Sequence, residues 1–162
     1  MQTTITARPL TAQDFAPYGN VLEAAGQPDK IINQGFCGRW HNRAELDFGT
    51  DGRAGISIFK AEPRDMPYKL DLLERHPDGC QAFIPMSMTE WLVIVAEDDR
   101  GAPSGIEAFI AAPGQGINLY RGTWHGVLTP LHAPGLFVVV DRIGDTTNLE
   151  EFPLEVPRTI KR

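Results

Sequence analysis

Cysteine and net positive charge are both scarce in this sequence of 162 residues. The two cysteines, Cys37 and Cys80, form no Cys-x-x-Cys pair and are predicted to be free thiols. The 15 basic and 21 acidic residues give a formal net charge of -6. Such an acidic body lacks the electrostatic surface that binds nucleic acids or anionic membranes, so both partner classes are excluded.

Long hydrophobic segments are also lacking. Residues Met1–Asp14 contain no basic region followed by an apolar one, which a secretory signal requires. The longest uncharged run, Gly122–Val140, contains prolines and glycines and is predicted to form two strands with a turn rather than a membrane helix. Together with the free thiols, these features predict a cytoplasmic protein.

Glycine and proline are abundant, with 16 and 13 residues, which indicates short elements joined by tight turns. Apolar and β-branched segments recur about every ten residues between them, a pattern typical of a β-sandwich or barrel. Because no repeat or linker is present, residues 1–162 are predicted to form a single all-β domain. The predicted strands are Ile31–Asn33 continuing to His41, Ile56–Lys60, Gln81–Ile84, Trp91–Ala96, Ile106–Ala111, Ile117–Tyr120, Trp124–Leu128 and Leu136–Asp141.

Three other segments carry weaker signals. Thr11–Asp14 is predicted to begin a short helix that ends within about one turn. The periodicity of Tyr68–His76 fits either a strand or a short helix. The acidic, proline-containing tail at 145–162 is expected to wrap the surface or to be partly mobile. The barrel core is predicted to contain the aromatic residues Phe83, Trp91, Phe109 and Phe137.

Four polar residues have a spacing that suggests a site. Glu74 and His76 are two residues apart, so on a strand both point to the same face. Gln81 follows across a short turn, and His125 follows a glycine-rich turn much later in the chain. Taken alone, Glu74 is equally well explained as a solvated charge. Taken alone, His125 is better explained as a buried core histidine. Their combined order favours a functional site.

This order resembles the two motifs of the cupins, which are small β-barrels. The first cupin motif, His-x-His and then Glu after three or four residues, corresponds here to Glu74-x-His76, four residues and Gln81. The second, Gly, five residues, Pro-x-Gly, two residues and His, corresponds to Gly114–His125 with tyrosine in the proline position. The resemblance implies a jelly-roll-like cupin barrel with one or two short helices. Such a barrel could hold a divalent metal such as nickel on Glu74, His76, Gln81 and His125. The altered ligand set favours chemistry without an obligatory cofactor.

Short sequence segments narrow the resemblance to one family. The segment Leu73–Met86, with the sequence LERHPDGCQAFIPM, closely resembles the signature of the ureidoglycolate lyases. The likeness extends from Tyr18 to Gly144. One departure is that the family often has a second histidine and a proline after Trp-His, where this chain has Gly126 and Val127, so a role for that histidine is not transferred. Further matching blocks are Ile32–Gly35 with Arg39 and His41, Gly114–Asn118, Trp124–His125 and Asp141–Arg142.

The resemblance implies a homodimeric enzyme of allantoin (purine) catabolism that splits (S)-ureidoglycolate into glyoxylate and urea. Such an elimination needs a general base, a general acid and a cation for the substrate carboxylate. Gln81 is predicted to hydrogen-bond the ureido carbonyl or the hydroxyl. Lys60 is preferred to Arg75 as the cation, because strand alternation places Arg75 on the face opposite the acid–base groups. Those groups are predicted to be Glu74, His76 and His125.

Two other functions remain open from the sequence. One is a different cupin enzyme, a metal-dependent oxygenase or an epimerase, that uses the same pocket. The other is a non-catalytic cupin that binds a small metabolite. Outside the motifs, His41 is assigned to a lid or a subunit contact, and His132 to a structural or exposed position. Asp141 and Arg142 are expected to form a structural ion pair or an interface contact.

Overall fold

The fold is built almost entirely from short strands. The computed structural model describes residues 3–162, in which the chain forms fifteen strands, one α-helix and one 3-10 turn. The helix is α1 (Ala12–Phe15), and the 3-10 turn is Asn33–Gly35. The strands are β1 (Thr4–Thr6), β2 (Arg8–Pro9), β3 (Gly19–Leu22), β4 (Lys30–Ile32), β5 (Cys37–Arg39), β6 (Arg53–Ala61), β7 (Tyr68–Arg75), β8 (Gln81–Pro85), β9 (Trp91–Asp99), β10 (Ala102–Ala111), β11 (Gly116–Leu119), β12 (Trp124–His125), β13 (Thr129–Pro130), β14 (Gly135–Ile143) and β15 (Glu150–Lys161).

The strands form two facing sheets and a separate hairpin. The larger sheet has the order β1-β15-β7-β12-β9-β10-β2, with β13 also paired to β9. It curls until β1 and β15 contact β10, so it nearly closes on itself. The smaller sheet has the order β3-β11-β8-β14-β6, and the hairpin joins β4 to β5. The expected all-β, cupin-like barrel with one or two short helical turns is confirmed.

Strand β9 lies between two hydrophobic cores. Its odd-numbered residues, such as Val93 and Val95, pack with Phe83 and Phe137 in the core between the sheets. Its even-numbered residues pack in a second core on the opposite face of the larger sheet. Burial on both faces explains why the segment Trp91–Ala96 is continuously apolar rather than alternating. The four aromatic residues assigned to the core are all buried in the first of these cores.

Two ambiguous segments are settled by the structure, and one expectation is wrong. Thr11 caps helix α1 by accepting a hydrogen bond from the Asp14 backbone N–H. The segment beginning at Tyr68 is a strand and not a helix. The tail does not simply wrap the surface, because β15 lies between β1 and β7 in the larger sheet and pairs with β7 at residues 150–153 and 158–160. Within residues 3–162, no helix has the length and apolar character needed to cross a membrane.

Candidate functional site

The pairing of β12 with β7 brings Glu74 and His125 together. The two residues are direct cross-strand partners, so their side chains leave the sheet on the same face. His125 is also paired with Val95, which belongs to the core between the sheets, so this face points toward the smaller sheet. The His125 Nδ1 atom lies 4.0 Å from Glu74 Oε1. A histidine and a carboxylate that are distant in sequence therefore lie close together on the face of the larger sheet that is turned toward the smaller sheet.

His76 completes a group of three. It follows β7 directly, and its ring centroid lies 5.2 Å from that of His125. One donor atom from each of Glu74, His76 and His125 lies within 4.8 Å of the other two. The structure therefore brings together the three residues that the sequence nominated as the acid–base group.

Both histidines have one ring nitrogen that is engaged and one that is free of hydrogen bonds. The His76 Nδ1–H donates to the Asn148 carbonyl at 2.7 Å, and the His125 Nδ1–H donates to the Gly126 carbonyl at 2.9 Å. Because a carbonyl can only accept, each Nδ1 carries a proton. Both Nε2 atoms are buried without a partner among the described residues. Each is therefore available to accept a proton or to bind a cation.

Burial shifts the pKa values of Glu74 and His125 in opposite directions and favours the neutral form of both side chains. Complete burial lowers the pKa of His125 to about 4, so its imidazole is neutral at neutral pH. Burial also raises the pKa of the Glu74 carboxyl, an effect that nearby His76 partly offsets. The Glu74 side chain keeps 22% of its surface exposed, so it remains within reach of solvent.

The three residues also fit a divalent cation. Two bare imidazole nitrogens and a carboxylate are a donor set that transition metals accept, and hydrogen bonds from the opposite ring nitrogens to carbonyls are the usual means of orienting such ligands. Gln81, the fourth ligand suggested by the cupin spacing, comes from the smaller sheet. Its amide nitrogen donates to Asp141 Oδ2 at 3.2 Å.

The two cations proposed for the substrate carboxylate lie elsewhere. Lys60 is exposed on the outward face of β6 beside Ile58, whereas Phe59 points inward and contacts Phe83. The Arg75 guanidinium lies 4.4 Å from the centroid of the Trp124 ring and pairs with Asp98 and Glu150. The structure therefore brings neither side chain to the group of three.

Asn148 is a residue of the site that the sequence analysis missed. Its carbonyl accepts from His76, and its side-chain Oδ1 accepts from the Asp78 backbone N–H at 2.7 Å. It thereby holds both ends of the turn that carries His76. No spacing signal could have revealed it, because 72 residues separate Asn148 from His76.

Other assignments are clarified by their contacts. Asp141 and Arg142 do not pair with each other: Asp141 faces Gln81, whereas Arg142 donates to the Phe48 carbonyl and to Thr146. His41 is exposed, and its backbone N–H donates to Asp29. His132 is exposed, as expected. Cys37 and Cys80 are both free thiols, which confirms that prediction.

A small cavity lies beside His125 in the space between the sheets. Its volume is about 20 Å³, enough for a single water molecule. Apolar side chains line most of this cavity, among them Phe83, Val93, Ile117 and Leu119. A ligand larger than a water molecule would therefore need these side chains to move before it could fill this cavity.

The buried His125 predicts a pH-dependent stability of the metal-free protein. The unfolded chain takes up a proton at this histidine near its ordinary pKa of 6.5, whereas the folded chain does so only near 4. Between these values the unfolded state binds more protons, so stability falls as the pH is lowered. We expect His125 to contribute a loss of roughly 3 kcal/mol across this window, measured by guanidinium unfolding at pH 7 and pH 4.

The variant His125→Asn should show a shallower loss of stability, whereas His132→Asn, at an exposed position, should keep the wild-type slope. Glu74 acts with the opposite sign: its raised pKa means that its protonation favours the fold as the pH falls. A slope unchanged in His125→Asn would contradict the assignment of the effect to His125.

Comparisons with known proteins identify the family of this chain. The family model for ureidoglycolate lyase matches residues 2–161. The ureidoglycolate lyase of Rhodobacter capsulatus is 54% identical over 94% of this chain and 95% of its own length. The ureidoglycolate lyase of Mesorhizobium japonicum is 50% identical over 93% of each chain, and that of a Chelativorans species is 45% identical over 96% of this chain and 95% of its own. On this evidence the chain belongs to the ureidoglycolate lyase family.

Proposed function

We propose that this protein is a lyase that cleaves (S)-ureidoglycolate into glyoxylate and urea. The observation that carries the proposal is the grouping of Glu74, His76 and His125 within 4.8 Å, in a chain that belongs to the family. Relatives that share about half of its sequence over nearly their full length bear the name ureidoglycolate lyase. Allantoin breakdown as its pathway and the cytoplasm as its location belong to the same proposal.

The reaction needs proton transfer but no water. One carbon of ureidoglycolate carries a carboxylate, a hydroxyl and a ureido nitrogen. Removal of the hydroxyl proton lets the C–O bond become the aldehyde C=O of glyoxylate while the C–N bond breaks. The bonding electrons leave with the ureido nitrogen, which takes up one proton to form urea. One proton is removed and one is supplied, so the chain must accept and return a single proton.

Glu74 and His76 are the groups suited to this transfer. Because burial raises the pKa of the Glu74 carboxyl, its carboxylate is a stronger base than that of an ordinary glutamate. His125 differs, because a pKa of about 4 keeps its imidazole neutral and makes it a poor proton carrier at neutral pH. We assign proton transfer to Glu74 and His76, and to His125 the role of a fixed, neutral acceptor through its bare Nε2.

The proposal requires no metal, and a divalent ion such as nickel is an alternative occupant of this group. The residues that would hold it are Glu74, His76 and His125, which would then act as ligands and not as proton carriers. When bound, such an ion supplies positive charge for the substrate carboxylate and lowers the pKa of the α-hydroxyl. The chain's own contribution is to orient both imidazoles through the Asn148 and Gly126 carbonyls.

The proposal is tested by following three products in one reaction. Purified protein is given (S)-ureidoglycolate, and urea, glyoxylate and ammonia are measured before chelation, after chelation, and after a divalent metal is restored. Equal release of urea and glyoxylate without ammonia is expected. Release of ammonia would indicate an amidohydrolase instead, and absence of turnover in all three states would overturn the lyase. Activity that survives chelation would assign the chemistry to the side chains alone.

Arg75 is expected to stabilise the fold without binding substrate. Its side chain is only 19% exposed and stacks on Trp124 between two carboxylates. Arg75→Met should lower the free energy of unfolding by about 1–2 kcal/mol and leave KM within about twofold of wild type. The matched control is Lys69→Met on the same strand, since the exposed pair of Lys69 with Asp71 should contribute almost nothing. A KM raised tenfold or more in Arg75→Met would contradict this role.

A homodimer is part of the same proposal. The outward face of the smaller sheet carries a row of apolar residues, in which Ile58 and Ile84 flank Val138 on neighbouring strands. Ile56, on the same face of the edge strand β6, is 75% exposed. An apolar face beside an open edge is a surface that a second copy could cover. Sedimentation at micromolar concentration should show twice the chain mass, and a species of only 17.9 kDa would refute the dimer.

A further inference from the structure

Gln81 lies on the inward face of β8. Its direct partner on β11 is Leu119, and both Leu119 and Phe83, two residues beyond Gln81, belong to the core between the sheets. Because alternate residues of a strand share a face, the Gln81 side chain enters the same space. It is a buried amide, with only 5% of its surface exposed.

Asp141 fixes the orientation of this amide. The two residues are direct partners on β14 and β8, and the Gln81 Nε2 donates to Asp141 Oδ2 at 3.2 Å. An ionised carboxylate can only accept, so the amide nitrogen must face Asp141 and the carbonyl oxygen must face away. That oxygen, Oε1, is buried and has no partner among the described residues. Asp141 therefore fixes the position of a hydrogen-bond acceptor, Gln81 Oε1, that has no donor among the described residues.

Gln81 and His125 extend from opposite sheets into the same space. His125 and Leu119 line one small cavity there, and Leu119 is the cross-strand partner of Gln81. Glu74 is in turn the partner of His125. A buried acceptor without a donor is costly and uncommon in native proteins, so an unpartnered oxygen in this space points to a donor brought by the ligand.

We propose that Gln81 Oε1 accepts a hydrogen bond from a ureido N–H of the substrate, and that Asp141 is the positioning residue that keeps this oxygen available. The inference rests on the proposed function. The ureido end of the substrate carries three N–H donors, whereas its carboxylate end would be repelled by Asp141. The assignment differs from the expectation from the sequence, in which Gln81 hydrogen-bonds the ureido carbonyl or the hydroxyl.

The test compares two small ligands by calorimetry on the purified protein. N-carbamoylglycine keeps the ureido group and the carboxylate but lacks the hydroxyl, whereas glycolate keeps the hydroxyl and carboxylate but lacks the ureido group. Gln81→Met should weaken N-carbamoylglycine about tenfold, the loss expected for one buried hydrogen bond, and leave glycolate within about twofold. Asp141→Val should do the same, and Asp141→Asn, which retains an acceptor oxygen for Nε2, should recover most of the affinity.

Asn118 provides the matched control. It is a fully buried amide with an unpartnered Oδ1, but it belongs to the outward face, where it bonds Asn20 and Glu45. Asn118→Ala should leave the ratio of the two affinities unchanged. Equal weakening of both ligands by Gln81→Met, or loss of bound metal from that variant, would overturn the inference. If wild-type protein binds N-carbamoylglycine but releases no urea from ureidoglycolate, the proposed lyase activity is overturned and the ureido subsite is supported. If wild-type protein cleaves ureidoglycolate but does not bind N-carbamoylglycine, the ureido subsite is overturned.

Discussion

Replacing Glu74 with glutamine is expected to lower kcat for ureidoglycolate cleavage by about 10²- to 10⁴-fold. Glutamine preserves the shape and most of the burial of the side chain but can neither accept nor return a proton. The carboxyl sits opposite His125 in the strand pairing and has a pKa raised by burial, both features of a group that works by proton transfer. Steady-state release of glyoxylate and guanidinium unfolding of the same preparation would measure the two effects separately.

The control for this substitution is Asp71→Asn, the same change at an exposed position of the same strand. It should leave kcat within about twofold of wild type. If Glu74→Gln retained kcat within threefold, Glu74 would not be the proton carrier. Retention of N-carbamoylglycine binding by Glu74→Gln, together with wild-type protein that never turns over, would favour the metabolite-binding alternative.

Replacing Trp124 with alanine is expected to lower the free energy of unfolding by about 3–5 kcal/mol. The ring is fully buried, packs against Phe152 at a centroid distance of 5.9 Å, and donates through Nε1 to Asp98 at 2.9 Å. It also supports the Arg75 guanidinium. For a chain of this length the melting temperature should fall by roughly 10 °C, which differential scanning calorimetry measures.

Trp40→Ala is the matched control for this stability prediction. The Trp40 ring is only partly buried, and its Nε1–H donates to the Ala25 carbonyl at 2.9 Å, away from the larger sheet. We expect a loss of about 1 kcal/mol for this variant. Trp124→Phe should fall between the wild type and Trp124→Ala, because it restores most of the packing but not the hydrogen bond. A loss under 1 kcal/mol for Trp124→Ala would contradict the packing argument.

The strands were predictable because most of them display their burial directly in the sequence. Alternation identifies Ile56–Lys60, and the continuous apolar run of β9 indicates burial on both faces. Strand β15 was not predictable, because Pro153 and Pro157 are signals against a central strand. The structure accommodates them through a shift in the register with β7 between Pro153 and Arg158. A bulge of this kind depends on the partner strand and leaves no local signature.

The grouping of Glu74, His76 and His125 was predictable, whereas the partners that orient these side chains were not. Glu74 and His76 share a face by simple alternation, and alternation also correctly placed Arg75 on the other face. Lys60 could not be excluded in this way, since the sequence does not reveal which face of β6 meets the larger sheet. The anchors Asp141 and Asn148 lie 60 and 72 residues from the side chains that they orient. Contacts at that separation exist only once the sheets have formed.

The position of β15 has a consequence for how the protein is made. This strand pairs with β1 on one side and with β7 on the other, and Asn148, just before it, holds His76. The earliest strand of the described chain and the turn that bears His76 must therefore wait for the segment 148–161 to leave the ribosome. Non-local pairing of this kind also slows folding. A nascent chain stalled before this segment should consequently be inactive, however much of its remaining sheet has formed.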